Sequence, residues 1–313
     1  MRRNQYQEAR EERMARIGFI GLGNMGGPMA ANLAAAGHEV TGLDLSMEAV
    51  KRLEAAGGAG ADSIAETVAF ADVVVTMLPA GAHVREVYTG DDGILTHARP
   101  GTVLIDSSTI DVDSARVVAD AAQAAGMAMV DAPVSGGVGG AQAGTLTFMV
   151  GGPEEAFAKA RPYLEIMGKT IVHAGGAGNG QAAKICNNMI LGISMIGVSE
   201  AFVLAEKLGL DHQKLFDIAS TASGQCWSMT SYCPVPGPVP ASPANRDYQP
   251  GFAAAMMLKD LKLAQDAARS VDASTPLGAE ASALYSLFCN AGNEGMDFSG
   301  IIKYLRGKVA DQG

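Results

Sequence analysis

With 313 residues, 48% of them hydrophobic and 18% charged, the chain is long enough for two domains with their own cores and too apolar for disorder. A formal net charge of −10 and the lack of any Lys/Arg block exclude nucleic acid as an expected partner. Cys186, Cys226, Cys233 and Cys289 form no CxxC pair and no metal-like spacing with the histidines, so no metal site is expected and free thiols in a reducing cytoplasm are.

In chain order, residues 1–15 (MRRNQYQEAREERMA) lack the apolar stretch of a secretory signal, and Glu8, Glu11 and Glu12 do not suit a transit peptide. They read as an N-terminal extension outside the fold. A short strand, RIGFIG, then turns into GLGNMGGPMAANLAAAG, a helix ending at Gly37. Gly21, Gly23 and Gly26 make a GxGxxG in the strand-turn-helix setting that a dinucleotide requires. The first glycine permits the tight turn, the second lets the backbone approach a pyrophosphate, and the third lets helix and strand pack closely. The turn residues Gly21, Leu22, Gly23, Asn24, Met25 and Gly26 are thus the candidate cofactor cradle. A second strand, EVTGLD, ends in Asp44, whose carboxylate is placed to accept from ribose hydroxyls and to repel a 2′-phosphate, which favours NAD over NADP. A lone GxGxxG is often only a turn; the coincidence of strand, helix and terminal acid raises this one above that.

β-Runs follow at 72–79 (DVVVTMLP), 102–109 (TVLIDSST), 128–137 (AMVDAPVSGG), 145–152 (TLTFMVGG) and 170–176 (TIVHAGG), separated by Ala-rich helical segments. This alternation predicts an α/β Rossmann-type N-terminal domain over residues 16–178 with a doubly wound sheet, parallel at least through its first strands. Ligands of such sheets bind beyond the C-terminal strand ends. Those ends carry Leu78 and Pro79, then Ser107, Ser108 and Thr109, then Ser135, Gly136 and Gly137. Singly, each reads equally well as a turn or a helix cap. The glycine-rich SGGVGGAQAG segment also offers open backbone N–H groups as a carboxylate cradle.

Residues 178–209 (GNGQAAKICNNMILGISMIGVSEAFVLAEKLG) predict one long helix, apolar on nearly every face and stopped by Gly209. Its 189–205 region is the one stretch apolar enough for a membrane span, but Ser194, Ser199, Glu200 and its glycines favour a protein interior. Lys184 and Asn188 share a face in its first turns, with Asn187 beside them. A lysine at the buried start of a domain-joining helix, with its pKa lowered from roughly 10.4 by burial, suits an acid/base role. On helix position alone, a snorkelling lysine and a gap-filling asparagine are the better account of the pair. Beyond Gly209 the chain reads as an all-helical C-terminal domain over 179–313, with helices at 252–270, 276–291 and 298–306. A proline-rich connection at 231–251 interrupts them and is expected to be extended and stiff, while Trp227, Tyr232 and Tyr248 suit a loop packed against the protein. Trp227 reads as a core anchor, and the apolar linking helix predicts a homodimer or homotetramer.

The segments GFIGLGNMGGPMAANL, IDSST, DAPVSGGVGGAQAGTL, GNGQAAKICNN and LKDL together resemble the β-hydroxyacid dehydrogenase family, over nearly all of Ile17 to Leu305. SGQCWSMTSYCPVPG and NRDYQPGFAAAMMLKDLKLAQD are similar to its 3-hydroxyisobutyrate branch. The resemblance implies NAD-dependent oxidation of 3-hydroxyisobutyrate to methylmalonate semialdehyde, a step of valine catabolism. It implies Lys184 as the catalytic lysine, Asn188 beside it holding substrate, and Ser135, Gly136 and Gly137 around the substrate carboxylate. It further implies Leu78, Pro79 and Thr109 near the nicotinamide end of the cofactor, and Lys259 of LKDL reaching cofactor or substrate. Two positions depart from the family pattern. His83 stands where an asparagine contacts cofactor in close relatives, and Gln225 replaces an arginine, which bears on substrate preference. Two rival readings remain: an NADPH-dependent reductase of glyoxylate or succinate semialdehyde, disfavoured by Asp44, and a non-catalytic nucleotide sensor, disfavoured by Lys184 and Asn188.

Overall fold

The structure, a computed structural model, describes residues 14–307, so the expected extension lies almost wholly outside the described residues. The chain forms two compact units that divide between Lys184 and Ile185, inside one helix.

The first unit alternates strands and helices: β1 (Arg16–Ile20), α1 (Gly26–Ala35), β2 (Glu39–Leu43), α2 (Met47–Ala55), β3 (Ala59–Gly60), α3 (Ile64–Val68), β4 (Val73–Thr76), α4 (Gly81–Thr89), α5 (Ile94–His97), β5 (Val103–Asp106) and α6 (Val112–Ala124). It continues with β6 (Ala128–Asp131), β7 (Val134–Ser135), α7 (Gly137–Ala143), β8 (Leu146–Gly151), α8 (Glu154–Met167) and β9 (Gly168–Gly175). The sheet order is β3-β2-β1-β4-β5-β6-β8-β7, with β9 also on β8. Pairing is parallel from β3 through β6, and β8 runs antiparallel to both β6 and β7. The expected parallel sheet is therefore present through its first strands. The run read as one strand at 128–137 is instead broken between Asp131 and Val134, where the chain turns to pair β7 with β8.

The strands read as continuous apolar runs because both faces of the sheet are covered. Val73 and Val75 enter one core cluster with Ile17, Phe19, Met29, Ile105 and Phe148. Their neighbour Val74 enters the other with Ile20, Tyr88, Leu104 and Met129. Alternate side chains along a strand point to opposite faces, so one valine run feeds both cores.

The linking helix, α9 (Asn179–Lys207), runs 29 residues. Among the described residues it is the one helix long and apolar enough to cross a membrane, and 44% of its most apolar window is buried within the protein. It ends in a Schellman motif: Gly209 takes a φ of 76°, its N–H donates to Glu206, and the Leu210 N–H donates to Ala205. Only glycine adopts that left-handed turn without strain, and the two bonds satisfy carbonyls the helix leaves open.

The second unit continues with α10 (His212–Ala219), α11 (Trp227–Thr230), α12 (Ala254–Ser270), α13 (Pro276–Phe288) and α14 (Ile301–Leu305). Met195, Met257, Leu261, Tyr285, Phe288 and Phe298 form its main core, and Phe202, Met229, Val235, Tyr248 and Ile302 a second. The proline-rich stretch differs from the extended connection expected of it. It folds into turns and a 3₁₀ turn (Pro243–Arg246), and buries Cys233, Val235, Ala244 and Tyr248. The Tyr248 hydroxyl donates to the Pro234 carbonyl and Ser242 to that of Cys233, so side chains replace the backbone donors that proline lacks.

Candidate active site

The fingerprint turn divides the work among its glycines. Gly21 has a φ of 94°, and a Cβ there would stand 2.3 Å from the Met77 carbonyl oxygen. A Cβ on Gly26 would stand 1.9 Å from the Gly21 carbonyl oxygen, whereas one on Gly23 would meet nothing within 4 Å. The outer glycines are thus required by packing, and the middle one faces open space where a pyrophosphate needs backbone approach. Met25 precedes α1 without a side-chain cap; the Gly27 N–H bonds the Gly23 carbonyl and Pro28 has none, so the N–H groups of Met25 and Gly26 are the ones aimed at an anion. Asp44 joins this turn: Oδ2 accepts from the Leu22 N–H at 2.6 Å and Oδ1 from the Ser46 N–H at 2.7 Å. Each oxygen keeps a further lone pair for a ribose hydroxyl. The residues present fit a dinucleotide.

Next to this turn, a chain of buried hydrogen bonds ties together the ends of β4, β5 and β6. Asp106, the last residue of β5, accepts at Oδ1 from Thr76 Oγ1 (2.7 Å) and Ser108 Oγ (2.6 Å). Ser108 Oγ accepts from the Leu78 N–H at 2.8 Å, and Thr76 bonds the buried Tyr88 hydroxyl at 3.0 Å. Burial first, and then the Asp106 charge, hold that phenol well above its ordinary pKa. The expected cofactor contacts Leu78 and Thr109 therefore stand on loops that are bonded to one another, with Pro79 exposed beside them.

From the same loop the network reaches the start of α9. Gln181 is wholly buried; its Nε2 donates to the Ser108 carbonyl at 2.7 Å and its Oε1 accepts from the Ile110 N–H at 3.1 Å. Asp131, ending β6, accepts from the Gly178 N–H at 2.7 Å and the Gln181 N–H at 2.9 Å, a carboxylate cap on the helix start. Burial, helped by neighbouring Asp106, raises its pKa to about 6 despite the lowering effect of those two N–H bonds. Lys184 follows less than one turn later, 6% exposed. Asn188 is 2% exposed on the same stripe of the helix; its Nδ2 donates to Asp260 Oδ2 at 2.5 Å and its Oδ1 accepts from Asn187 at 3.0 Å. Lys259, half-buried next to Asp260 on α12, lines a cavity of about 360 Å³ in the helical unit with Lys262 and Asp266. A larger cavity there, about 760 Å³ between Glu206, Phe288, Tyr304 and Arg306, contains none of the expected site residues.

Ser135, Gly136 and Gly137 stand where β7 gives way to α7, with φ of 131° at Gly136 and 60° at Gly137. Both values lie in the region that favours glycine, so this backbone path needs Gly at each. His83 and Gln225, the two departures, are exposed. Trp227 is not the core anchor expected: it is 51% exposed and stacks on Tyr232 at 4.8 Å between ring centroids. Among the described residues no group of His, Cys, Asp or Glu is arranged to hold a metal.

Asp106, Asp131 and Gln181 went unremarked as individual residues in the sequence, although each lies in a motif singled out there. Their signal was polarity at a strand end or helix start inside otherwise apolar or small-residue runs.

A family described as the NAD binding domain of 6-phosphogluconate dehydrogenase matches residues 16–176, and one described as NAD-binding of NADP-dependent 3-hydroxyisobutyrate dehydrogenase matches residues 178–305. The 3-hydroxyisobutyrate dehydrogenase of Pseudomonas aeruginosa is 54% identical over 297 residues, 94% of this chain and 100% of that one. The chain belongs to the 3-hydroxyisobutyrate dehydrogenase family. It is an NAD-binding oxidoreductase of that family, with the family's Rossmann-type domain followed by a helical domain. The solved structure of Mycobacterium tuberculosis 3-hydroxyisobutyrate dehydrogenase with L-serine superposes with a TM-score of 0.90 at 54% identity, covering 94% of this chain and 99% of that one. Another family relative, the NAD-dependent L-serine dehydrogenase of Pseudomonas aeruginosa, is 50% identical over 93% of this chain and 97% of its own.

Proposed function

We propose that this protein oxidises 3-hydroxyisobutyrate to methylmalonate semialdehyde, using NAD in preference to NADP, in the cytoplasm and as a step of valine breakdown. The observation that carries the reading is the buried amine of Lys184, just after a helix start that is bonded to the loop bearing Thr109. When bound, the nicotinamide supplies the carbon that accepts the hydride. The chain's own task is then to orient the alcohol and take its proton. Lys184 Nζ accepts that proton as the C–H bond breaks. Asn188, with one amide hydrogen and one lone pair still available, holds a substrate oxygen beside it. Ser135, Gly136 and Gly137 receive the carboxylate, Leu78, Pro79 and Thr109 flank the nicotinamide end, and Lys259 is a further cofactor contact. Asp44 selects NAD by hydrogen-bonding the ribose and repelling a 2′-phosphate.

L-Serine is the second reading, since it is also a 3-hydroxy acid and is the substrate in the name of a 50% identical relative. Gln225, in place of the family's arginine, bears on this choice.

The protein also associates with a second copy of itself, as a homodimer or homotetramer. Ile190, Gly197 and Leu204 lie at heptad spacing along α9 and are exposed, Ile190 by 66% and Leu204 by 59%. An apolar stripe at this spacing suits a neighbouring helix.

The decisive experiment follows NADH absorbance with 3-hydroxyisobutyrate, L-serine and other short 3-hydroxy acids, using NAD and NADP in parallel, for the wild type and Lys184→Ala. We expect 3-hydroxyisobutyrate with NAD to be the fastest pair. The variant should lose on the order of 10³-fold in kcat while still binding NADH. An active Lys184→Ala enzyme would remove that amine from the mechanism, and faster turnover of L-serine would transfer the reading to that substrate.

A further inference from the structure

We propose that Gln181 is a positioning residue, which sets the first turns of α9, and with them Lys184, against the loop that carries Thr109. The inference rests on the reading of Lys184 as the proton acceptor. Gln181 is held at three points: its backbone N–H by Asp131, its side-chain nitrogen by the Ser108 carbonyl, and its side-chain oxygen by the Ile110 N–H. The two side-chain bonds grip the loop on either side of Thr109. Residues 181, 184 and 188 fall at i, i+3 and i+7, one stripe of the helix, so what fixes Gln181 also fixes the direction of Lys184.

Glutamine is the side chain this bridge requires. It must donate to a carbonyl and accept from an amide in a site without exposure, and a primary amide does both without charge. A carboxylate would set an acceptor against the Ser108 carbonyl, and an aliphatic chain would strand both loop groups. The rest of the helix start is equally constrained. A Cβ on Gly180 would stand 2.4 Å from the Met149 carbonyl oxygen and 2.5 Å from that of Asp131. Backbone pressed that closely against β6 and β8 leaves the helix no room to rotate. The bridge can therefore hold the amine to the sub-ångström tolerance that proton and hydride transfer demand.

The test uses the full-length enzyme. In the wild type, hydrogen exchange at the Ile110 amide should be as slow as at the central strands, and rapid exchange there would overturn the bridge. Gln181→Met, close in volume, should lose on the order of 10²-fold in kcat with the KM for NAD changed by less than about threefold. Its Ile110 amide should exchange about tenfold faster or more. A Gln181→Met enzyme with kcat within about twofold of the wild type would refute positioning, even if its melting temperature fell. Should that variant fail to fold, Gln181→Glu decides. Its activity relative to wild type should rise as pH falls, because the protonated carboxyl regains the donor for Ser108, and a ratio independent of pH would count against the proposal. Failure of the Lys184 reading looks different: Lys184→Ala would stay active while protection of the Ile110 amide persisted.

Discussion

In the first unit the buried carboxylates lie at the ends of neighbouring strands, Asp106 and Asp131 facing one another in register, and tie together the loops beyond the sheet. In the second, the buried carboxylate Asp297 gathers a loop inward. Its Oδ2 accepts from the Tyr232 hydroxyl and from the N–H groups of Gly251 and Phe252, and its Oδ1 from the N–H and hydroxyl of Ser299. The first arrangement aligns loops around a candidate site; the second replaces regular secondary structure where prolines forbid it. The units also differ in closure. Both faces of the sheet are covered by large apolar clusters, whereas α10 buries none of its residues fully and α9 shows an apolar stripe to solvent. A buried polar network therefore marks alignment in one unit and folding in the other.

This contrast can be broken at its folding end first. Asp297→Ala strands several buried donors at once and should lower unfolding stability by about 4 kcal/mol, seen as a fall in the urea midpoint. A loss below about 1 kcal/mol would mean that the loop is held by its apolar contacts alone.

A smaller effect sharpens the alignment end. Asp131 binds its proton more tightly in the folded chain, with a pKa of about 6 against an ordinary 3.8. Between those values the folded protein keeps a proton that the unfolded chain has released. The stabilising contribution of this group is thus full below the lower value and is lost as pH rises through the upper one. Relative to Asp131→Asn, which has no such proton, the wild type should lose about 2–3 kcal/mol from roughly pH 4 to pH 7. Urea midpoints at the two pH values measure it, and a constant difference would show that the carboxylate titrates normally.

The smallest effect on folding tests closure. Ile190→Glu places a charge on the exposed stripe of α9 and should change unfolding stability by less than about 0.5 kcal/mol in a single chain. It should nevertheless reduce the mass in solution, by light scattering, to that of one chain. A wild type that already has that mass would show the stripe to be plain surface.

Much of this was legible beforehand because it depends on local rules. The three glycines, the acid at the end of β2, the period of the strands and the capping glycine at 209 are each demanded by backbone geometry within a few residues. The proline-rich stretch packs against the protein as its aromatics suggest, but is not extended, for a physical reason. Its composition reports the absence of regular hydrogen bonding, and not whether side chains such as Ser242 and Tyr248 supply the bonds instead. Trp227 misled similarly, since its exposure depends on Tyr232 beneath it.

By itself, the order of residues determined the alternating domain, the helical one after it, the nucleotide turn and the pairing of Lys184 with Asn188 on one helical stripe. All of these follow from periodicity and from the backbone angles that particular residues allow. Only the tertiary structure decided that Asp106, Asp131 and Gln181 form one system. Their bonds cross between Gln181 and Ser108, or Gly178 and Asp131, separated by 73 and 47 residues, and no local pattern records which distant carbonyl a buried amide will find.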